Sequence, residues 1–187
     1  MKELSLNILD IAGNSVRAKA QRIDILLDET EDTLTFTIRD DGIGMSEALL
    51  ARVTDPFATT RTTRKVGLGI PFLKMEAEQT GGSLTITSRS IENAPEDHGT
   101  ELSASFIKTH IDFIPLGDIV ETLCTLVHGS PTLNINFRHI YGEREVSLST
   151  EEMRAMLGDD VPLSDPEVLA WMRAYLKEGY GELYGAM

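Results

Sequence analysis

Residues 33–39 constrain this chain more than any other stretch. Leu34, Phe36 and Ile38 alternate with threonines, and the run then breaks on Asp40-Asp41-Gly42-Ile43-Gly44. A period of two makes a strand with one buried and one wet face, and the Asp-Gly pair ends it in a turn. Such a strand needs an apolar layer to cover it, and the flanking sequence supplies one. Residues 4–19 place Leu4, Ile8, Ile11, Ala12, Ser15 and Val16 near one side of a helix. Residues 22–27 read as a short strand, and Ser46 with Glu47 opens a short helix over 48–53. A helix starting at Gly69 runs to Gln79, where Gly81-Gly82 stops it as a left-handed cap would. Residues 83–88 and 100–108 read as two further strands, joined by a polar loop over 92–99. The order α-β-β-α-α-β-β predicts an α+β fold, a two-layer α/β sandwich with helices on one face of a mixed sheet.

The pattern continues beyond residue 109. Residues 118–127 read as a helix, and 133–139 with 145–148 as a hairpin about Tyr141-Gly142. Ser149 with Glu152 and Ser164 with Glu167 each offer a capping box for a following helix. Val168, Met172, Tyr175 and Leu176 form a core stripe on the last of these. The division expected is a first domain over 1–109 and a C-terminal α/β extension over 110–187. The extension shows no motif of its own. Its acidic surface, with Trp171 and Tyr175 beside Val168 and Leu176, reads either as a docking face or as a packed continuation of the core.

Charge narrows the function classes. Seventeen basic against thirty acidic residues give −13, which disfavours nucleic acid because the phosphate backbone would repel the chain. Residues 1–109 carry −5 and residues 110–187 carry −8. Apolar runs fall far short of the ~20 residues of a membrane span, and no basic-then-apolar leader opens the sequence. The single cysteine, Cys124, has no internal partner, and the four histidines lack metal-ligand spacing. A cytoplasmic protein is expected. The stretch 52–65 runs against the trend, with Arg52, Arg61, Arg64 and Lys65 facing Asp55 alone.

Four clusters carry chemistry. Asp10, Asn14 and Arg17 stand four and three residues apart, hence on one helix face. The amide oxygen suits Mg²⁺ and the guanidinium suits phosphate, although the same row also reads as the wet side of an amphipathic helix. Asp40 at a strand end, followed by Gly42 and Gly44, can accept from an exocyclic amine while the backbone approaches a flat ligand. It also reads as a plain turn. Residues 55–69 form a basic, hydroxyl-rich loop running into Gly67-Leu68-Gly69 and a helix N-terminus, an arrangement that favours anions. Gly99-Thr100 opens the last strand of the first domain.

Taken in order, these motifs resemble the ATP-binding domain of the GHKL superfamily, which includes sensor histidine kinases, the DNA gyrase B subunit, ninety-kilodalton heat-shock chaperones and mismatch-repair ATPases. Residues 10–14 resemble the N box, Asp40-x-Gly42-x-Gly44 the G1 box and Gly67-Leu68-Gly69 the G2 box. Asp55-Pro56-Phe57 with Thr59-Thr60 resembles the histidine-kinase lid, and Gly99-Thr100 falls where the final box begins. The resemblance implies a Bergerat-type sandwich cradling Mg-ATP. On that reading Asp40 holds the adenine amine, Asn14 the Mg²⁺, Arg17 and the lid residues Thr59, Thr60, Arg64 and Lys65 the phosphates, and Gly67, Leu68 and Gly69 the phosphate-binding turn. Gly42, Gly44 and Thr100 would shape the base pocket.

Two departures qualify the activity expected. Asp10 stands where hydrolysing members carry glutamate, which is ~1.5 Å longer by one carbon–carbon bond, and this weakens Asp10 as a base. Only nine residues precede the N box, so no phosphoacceptor helices are expected upstream. The function expected is therefore a Mg-ATP-binding regulatory protein that switches a partner protein. The alternatives are a trans-acting protein kinase of the anti-sigma-factor type, a weak ATPase, or a degenerate fold without nucleotide. A homodimer is also compatible with the sequence.

Overall fold

The computed structural model describes residues 3–54, 69–158 and 160–185. Six strands, β1 (Arg22–Glu29), β2 (Thr33–Asp40), β3 (Ser83–Arg89), β4 (Gly99–Ile107), β5 (Asn134–Tyr141) and β6 (Arg144–Ser149), form one mixed sheet in the order β3-β4-β2-β1-β5-β6. All neighbours are antiparallel except β1 and β5, which run parallel over eight residue pairs. The helices are α1 (Leu4–Arg17), α2 (Glu47–Leu50), α3 (Gly69–Gln79), α4 (Ile119–Gly129), α5 (Thr150–Leu157) and α6 (Pro166–Leu183).

The alternation read in β2 recurs in its neighbours. Leu34, Phe36 and Ile38 are buried, as are Ile23, Ile25 and Leu27 of β1, and Leu102, Ala104 and Phe106 of β4. These rows face a helix layer in which α3 touches α1, α1 touches α4 and α4 touches α6. Burying each large side chain is worth about 1.5–3 kcal/mol, and the stacked Phe36 and Phe106, 6.0 Å between ring centres, sit at the middle. The other face of the strands is polar, with Thr37 donating to Ser103 at 3.0 Å. This is the α+β sandwich expected, and β5, β6, α4 and α6 extend the same sheet and the same helix layer.

The chain after β4 returns to cap α1. Leu4 and Ser5 donate their N–H groups to the carbonyls of Pro115 and Leu116 at 3.0 and 2.8 Å, which satisfies donors that a helix start leaves open. Two sequence expectations need correction. Asp165, not Ser164, caps α6, accepting from the Glu167 N–H at 2.8 Å, because Pro166 occupies the first helical position and fixes the cap one residue before it. Tyr175 lies outside the core stripe: Val168, Met172 and Leu176 are buried, whereas Tyr175 is exposed and stacks on Trp171.

Candidate functional site

At the end of β2 the Asp40 carboxylate is held from two sides. Its Oδ1 accepts the Gly42 N–H at 2.9 Å, and its Oδ2 accepts the Ser15 hydroxyl at 2.6 Å. Ser15 is buried on α1, so the strand end is locked to the helix. The Ile43 N–H donates to the Ala18 carbonyl at 3.0 Å, and Asp41 Oδ1 accepts from the N–H groups of Gln21 and Arg22 at 2.7 and 2.9 Å. Each Asp40 oxygen has two acceptor positions, so one on each remains for a ligand.

Gly44 and Gly99 are required by geometry. Gly44 has φ 66° and lies so close to the Arg89 carbonyl that a Cβ would overlap it; Gly99 has φ 137° and presses in the same way on the Asp40 carbonyl. Side chains there would be strained and would push the two walls apart. Thr100 stands opposite Asp40 in the β2–β4 register. The Ser88 hydroxyl donates to the Gly99 carbonyl at 2.9 Å and accepts the Met45 N–H at 2.8 Å. Its single hydrogen is thereby used, so the Thr100 hydroxyl, 2.9 Å away, donates to Ser88 and turns its own lone pairs outward. His98 Nδ1 donates to the Gly42 carbonyl at 2.7 Å. A polar cavity of about 190 Å³ opens across the strand ends, lined by Asp40, Ser88, His98 and Thr100 and, from the polar face of the sheet, by Arg39, Thr87 and Glu101, with no α1 residue among the described residues on its walls.

The α1 row points to the same corner. Arg17 donates to the Asn14 amide oxygen at 2.5 Å. The Asp10 carboxylate lies directly against Gly69, the first residue of α3, and a Cβ at Gly69 would overlap it. The structure thus brings Asp10, Asn14 and Arg17 along one helix and sets Asp10 at the start of another. Asp40, Gly42, Gly44 and Thr100 gather at the adjoining strand ends. Thr59, Thr60, Arg64, Lys65, Gly67 and Leu68 lie outside the described residues, as does the Asp55-Pro56-Phe57 segment.

Ser15, Ser88 and His98 were not singled out from sequence as site residues. Ser15 was counted in the apolar stripe of α1. A hydroxyl within a stripe of Ile8, Ile11 and Ala12 is a signal, since a buried hydroxyl needs a partner. Among the described residues no cluster of three His, Cys, Asp or Glu side chains could hold a metal ion. The donors present, an amide oxygen and a carboxylate on one helix face, fit a hard cation that keeps water and phosphate oxygens as its other ligands.

A mixed sheet covered on one face by helices, with a carboxylate and glycine turns at its strand ends, is the layout of an α/β sandwich. Residues 2–110 match the family described as histidine kinase-, DNA gyrase B-, and HSP90-like ATPases, and the chain belongs to that family. It is 27% identical over 109 residues to a putative sensor histidine kinase NtrY-like protein of Rickettsia prowazekii (strain Madrid E), covering 58% of this chain and 18% of that protein. It is 33% identical over 87 residues to the C4-dicarboxylate transport sensor protein DctB of Pseudomonas aeruginosa, covering 45% of this chain and 14% of that protein. The chain therefore spans less than a fifth of the length of these relatives. Among solved structures, the Aquifex aeolicus MutL ATPase domain complexed with ADP aligns with 100% of this chain and 98% of its own, at TM-score 0.54 and 12% identity, which shows a shared fold. Family membership supports ATP binding and a histidine kinase-like domain. No helix among the described residues is long and apolar enough to cross a membrane.

Proposed function

We propose that the chain binds Mg-ATP at the corner between α1, α3 and the ends of β2 and β4, and that nucleotide occupancy alters its contact with a partner protein in the cytoplasm. The observation that carries this reading is the Asp40 carboxylate, oriented by Ser15 and Gly42 yet left with an open acceptor position on each oxygen. An exocyclic amine is the complementary donor, and Thr100 presents hydroxyl lone pairs from the facing strand. Asn14 and Arg17 serve the polyphosphate end: the amide oxygen suits Mg²⁺, and the guanidinium that it now engages suits phosphate oxygens in fork geometry. Bound Mg²⁺ would neutralise phosphate charge. Gly69 opens α3, whose first backbone N–H groups suit the same anion. The resemblance of residues 55–60 to the histidine-kinase lid assigns Thr59, Thr60, Arg64 and Lys65 to the phosphates. Ordering of a loop by a ligand is an established type of switch and requires only different affinities in the two states.

A second reading, a weak ATPase or a trans-acting kinase, is favoured by Asp10. Among the described residues no group hydrogen-bonds its carboxylate, which sits at the start of α3. Phosphoryl transfer rests chiefly on positioning and charge neutralisation, so a shortened base does not exclude it. Calorimetric titration of Mg-ATP into wild type and Asn14→Ala tests the binding. The proposal expects saturable binding that weakens by about tenfold in the variant and loses its Mg²⁺ dependence; no heat with wild type ends it. Radiolabelled phosphate appearing on a co-purified protein, dependent on Asn14, selects the kinase, and phosphate release lost in Asp10→Asn selects the ATPase.

A further inference from the structure

The C-terminal half carries a groove that the nucleotide reading does not use. One concavity of about 730 Å³ is floored by the polar face of β1, β5 and β6, including Leu26, Asn136 and Ser147, and is walled by α5 and α6. A second, of about 480 Å³, lies between α5 and α6 against Leu157, Val161 and Val168. Met153, Met156 and Trp171 line both, which makes them one continuous trough. Met156 is 79% exposed, Trp171 53% and Tyr175 43%. The Trp171 and Tyr175 rings stack at 5.4 Å and 13°, a flat aromatic wall turned toward solvent. Exposed apolar walls beside a polar floor mark an interaction site, and the thioethers adapt to differently shaped anchors.

The charge around it selects the occupant. Arg22 is engaged by Asp24 at 3.0 Å, and Arg138 makes two N–H bonds to Glu145 at 3.2 and 2.6 Å. Both cations of the trough are thus neutralised within it. The carboxylates of Glu152 and Glu167 have no cationic partner among the described residues. A second copy of a chain carrying −13 would bring acidic surface to acidic surface. We infer that the trough docks a basic amphipathic helix of a partner protein, its aliphatic side chains filling the two concavities and its lysines or arginines meeting Glu152, Glu167 and the Trp171–Tyr175 wall. The floor lies on the sheet face opposite Asp40, and the inference holds independently of nucleotide binding.

Trp171 is the only tryptophan in the sequence, so its emission reports directly on the trough. The probe is a synthetic amphipathic helical peptide made only of leucine and lysine, titrated into the full chain. The expected result is a saturable blue shift, about tenfold weaker binding in Met156→Asp and in Glu152→Lys with Glu167→Lys, and melting curves that match wild type. Control peptides of leucine with glutamate and of serine with lysine should leave the emission unchanged. No shift with the leucine–lysine peptide, equal binding of either control, or wild-type affinity in Met156→Asp would each overturn the inference. The last of these would reduce the effect to bulk charge.

Discussion

Two carboxylates at opposite ends of the sheet show how the same group serves different purposes. Asp40 ends β2, and Glu29 ends the adjacent antiparallel strand β1. Asp40 has two donors, Ser15 and Gly42. Glu29 has three, one of them charged: Lys108 at 2.6 Å on Oε1, and His139 at 3.0 Å and Tyr184 at 2.7 Å on Oε2. Because a carboxylate only accepts, His139 Nε2 carries a proton toward Glu29, while Nδ1 lies 2.9 Å from the Tyr180 hydroxyl. Lys108 also donates to the Thr30 carbonyl and sits over the Tyr141 ring. Burial alone would raise the Glu29 pKa, but the hydrogen bonds from His139, Lys108 and Tyr184 outweigh it and hold it at about 2. Burial, together with the negative charge nearby, pushes the Tyr180 and Tyr184 hydroxyls above their ordinary values, so both stay protonated as donors. The Glu29 cluster is closed and joins α6 to the sheet, whereas the Asp40 corner retains acceptor positions for a ligand.

If that division is right, the two ends respond to different perturbations. Glu29→Ala removes the Lys108 counter-charge and leaves the buried His139 Nε2–H without its acceptor, and should destabilise the fold by about 3–5 kcal/mol, seen as a lower denaturation midpoint, with ATP affinity of the folded protein unchanged. Acid attacks the same end. A carboxyl held at about 2 instead of 4.5 contributes about 3 kcal/mol that is fully present above pH 4.5 and is lost as pH falls toward 2. Chemical denaturation across that window should show this loss, and Glu29→Gln should flatten it. Gly99→Ala tests the other end: strain at φ 137° and overlap with the Asp40 carbonyl should cost about 2 kcal/mol and also weaken ATP binding, which calorimetry would separate from stability. Tyr184→Phe removes one donor of three and should cost about 1 kcal/mol in denaturant, with nucleotide binding intact. Loss of ATP affinity in either Glu29 variant would erase the distinction between the ends.

The sequence was most legible where local chemistry decides structure. The alternation of β2, the helical stripe of α1 and the Tyr141-Gly142 turn, where Gly142 has φ 62°, all appear in place. The row Asp10, Asn14 and Arg17 and the strand end at Asp40 were readable because spacing and order are local. The Glu29–His139–Tyr184 cluster was not, since its members lie 110 and 155 residues apart and no periodicity joins them. His139 is fully buried, and its partners come together only where β1 pairs with β5 in parallel and α6 ends beside them. Ser15 was hidden for a different reason: its helical position is apolar in phase, and only the fold shows Asp40 beside it. Val16, placed in the same stripe from sequence, is 37% exposed, because α1 turns that side outward.

The central claim is that Asp40 recognises the amino edge of a purine triphosphate, and the most direct measurement is calorimetric titration of ATP with Mg²⁺ into wild type and Asp40→Asn, alongside their melting curves. Wild type should bind saturably and the folded variant on the order of hundredfold more weakly, because a charge-assisted acceptor is lost, with the melting curves separating this from the lost lock on Ser15 or Gly42. Equal heats from both proteins would contradict the claim.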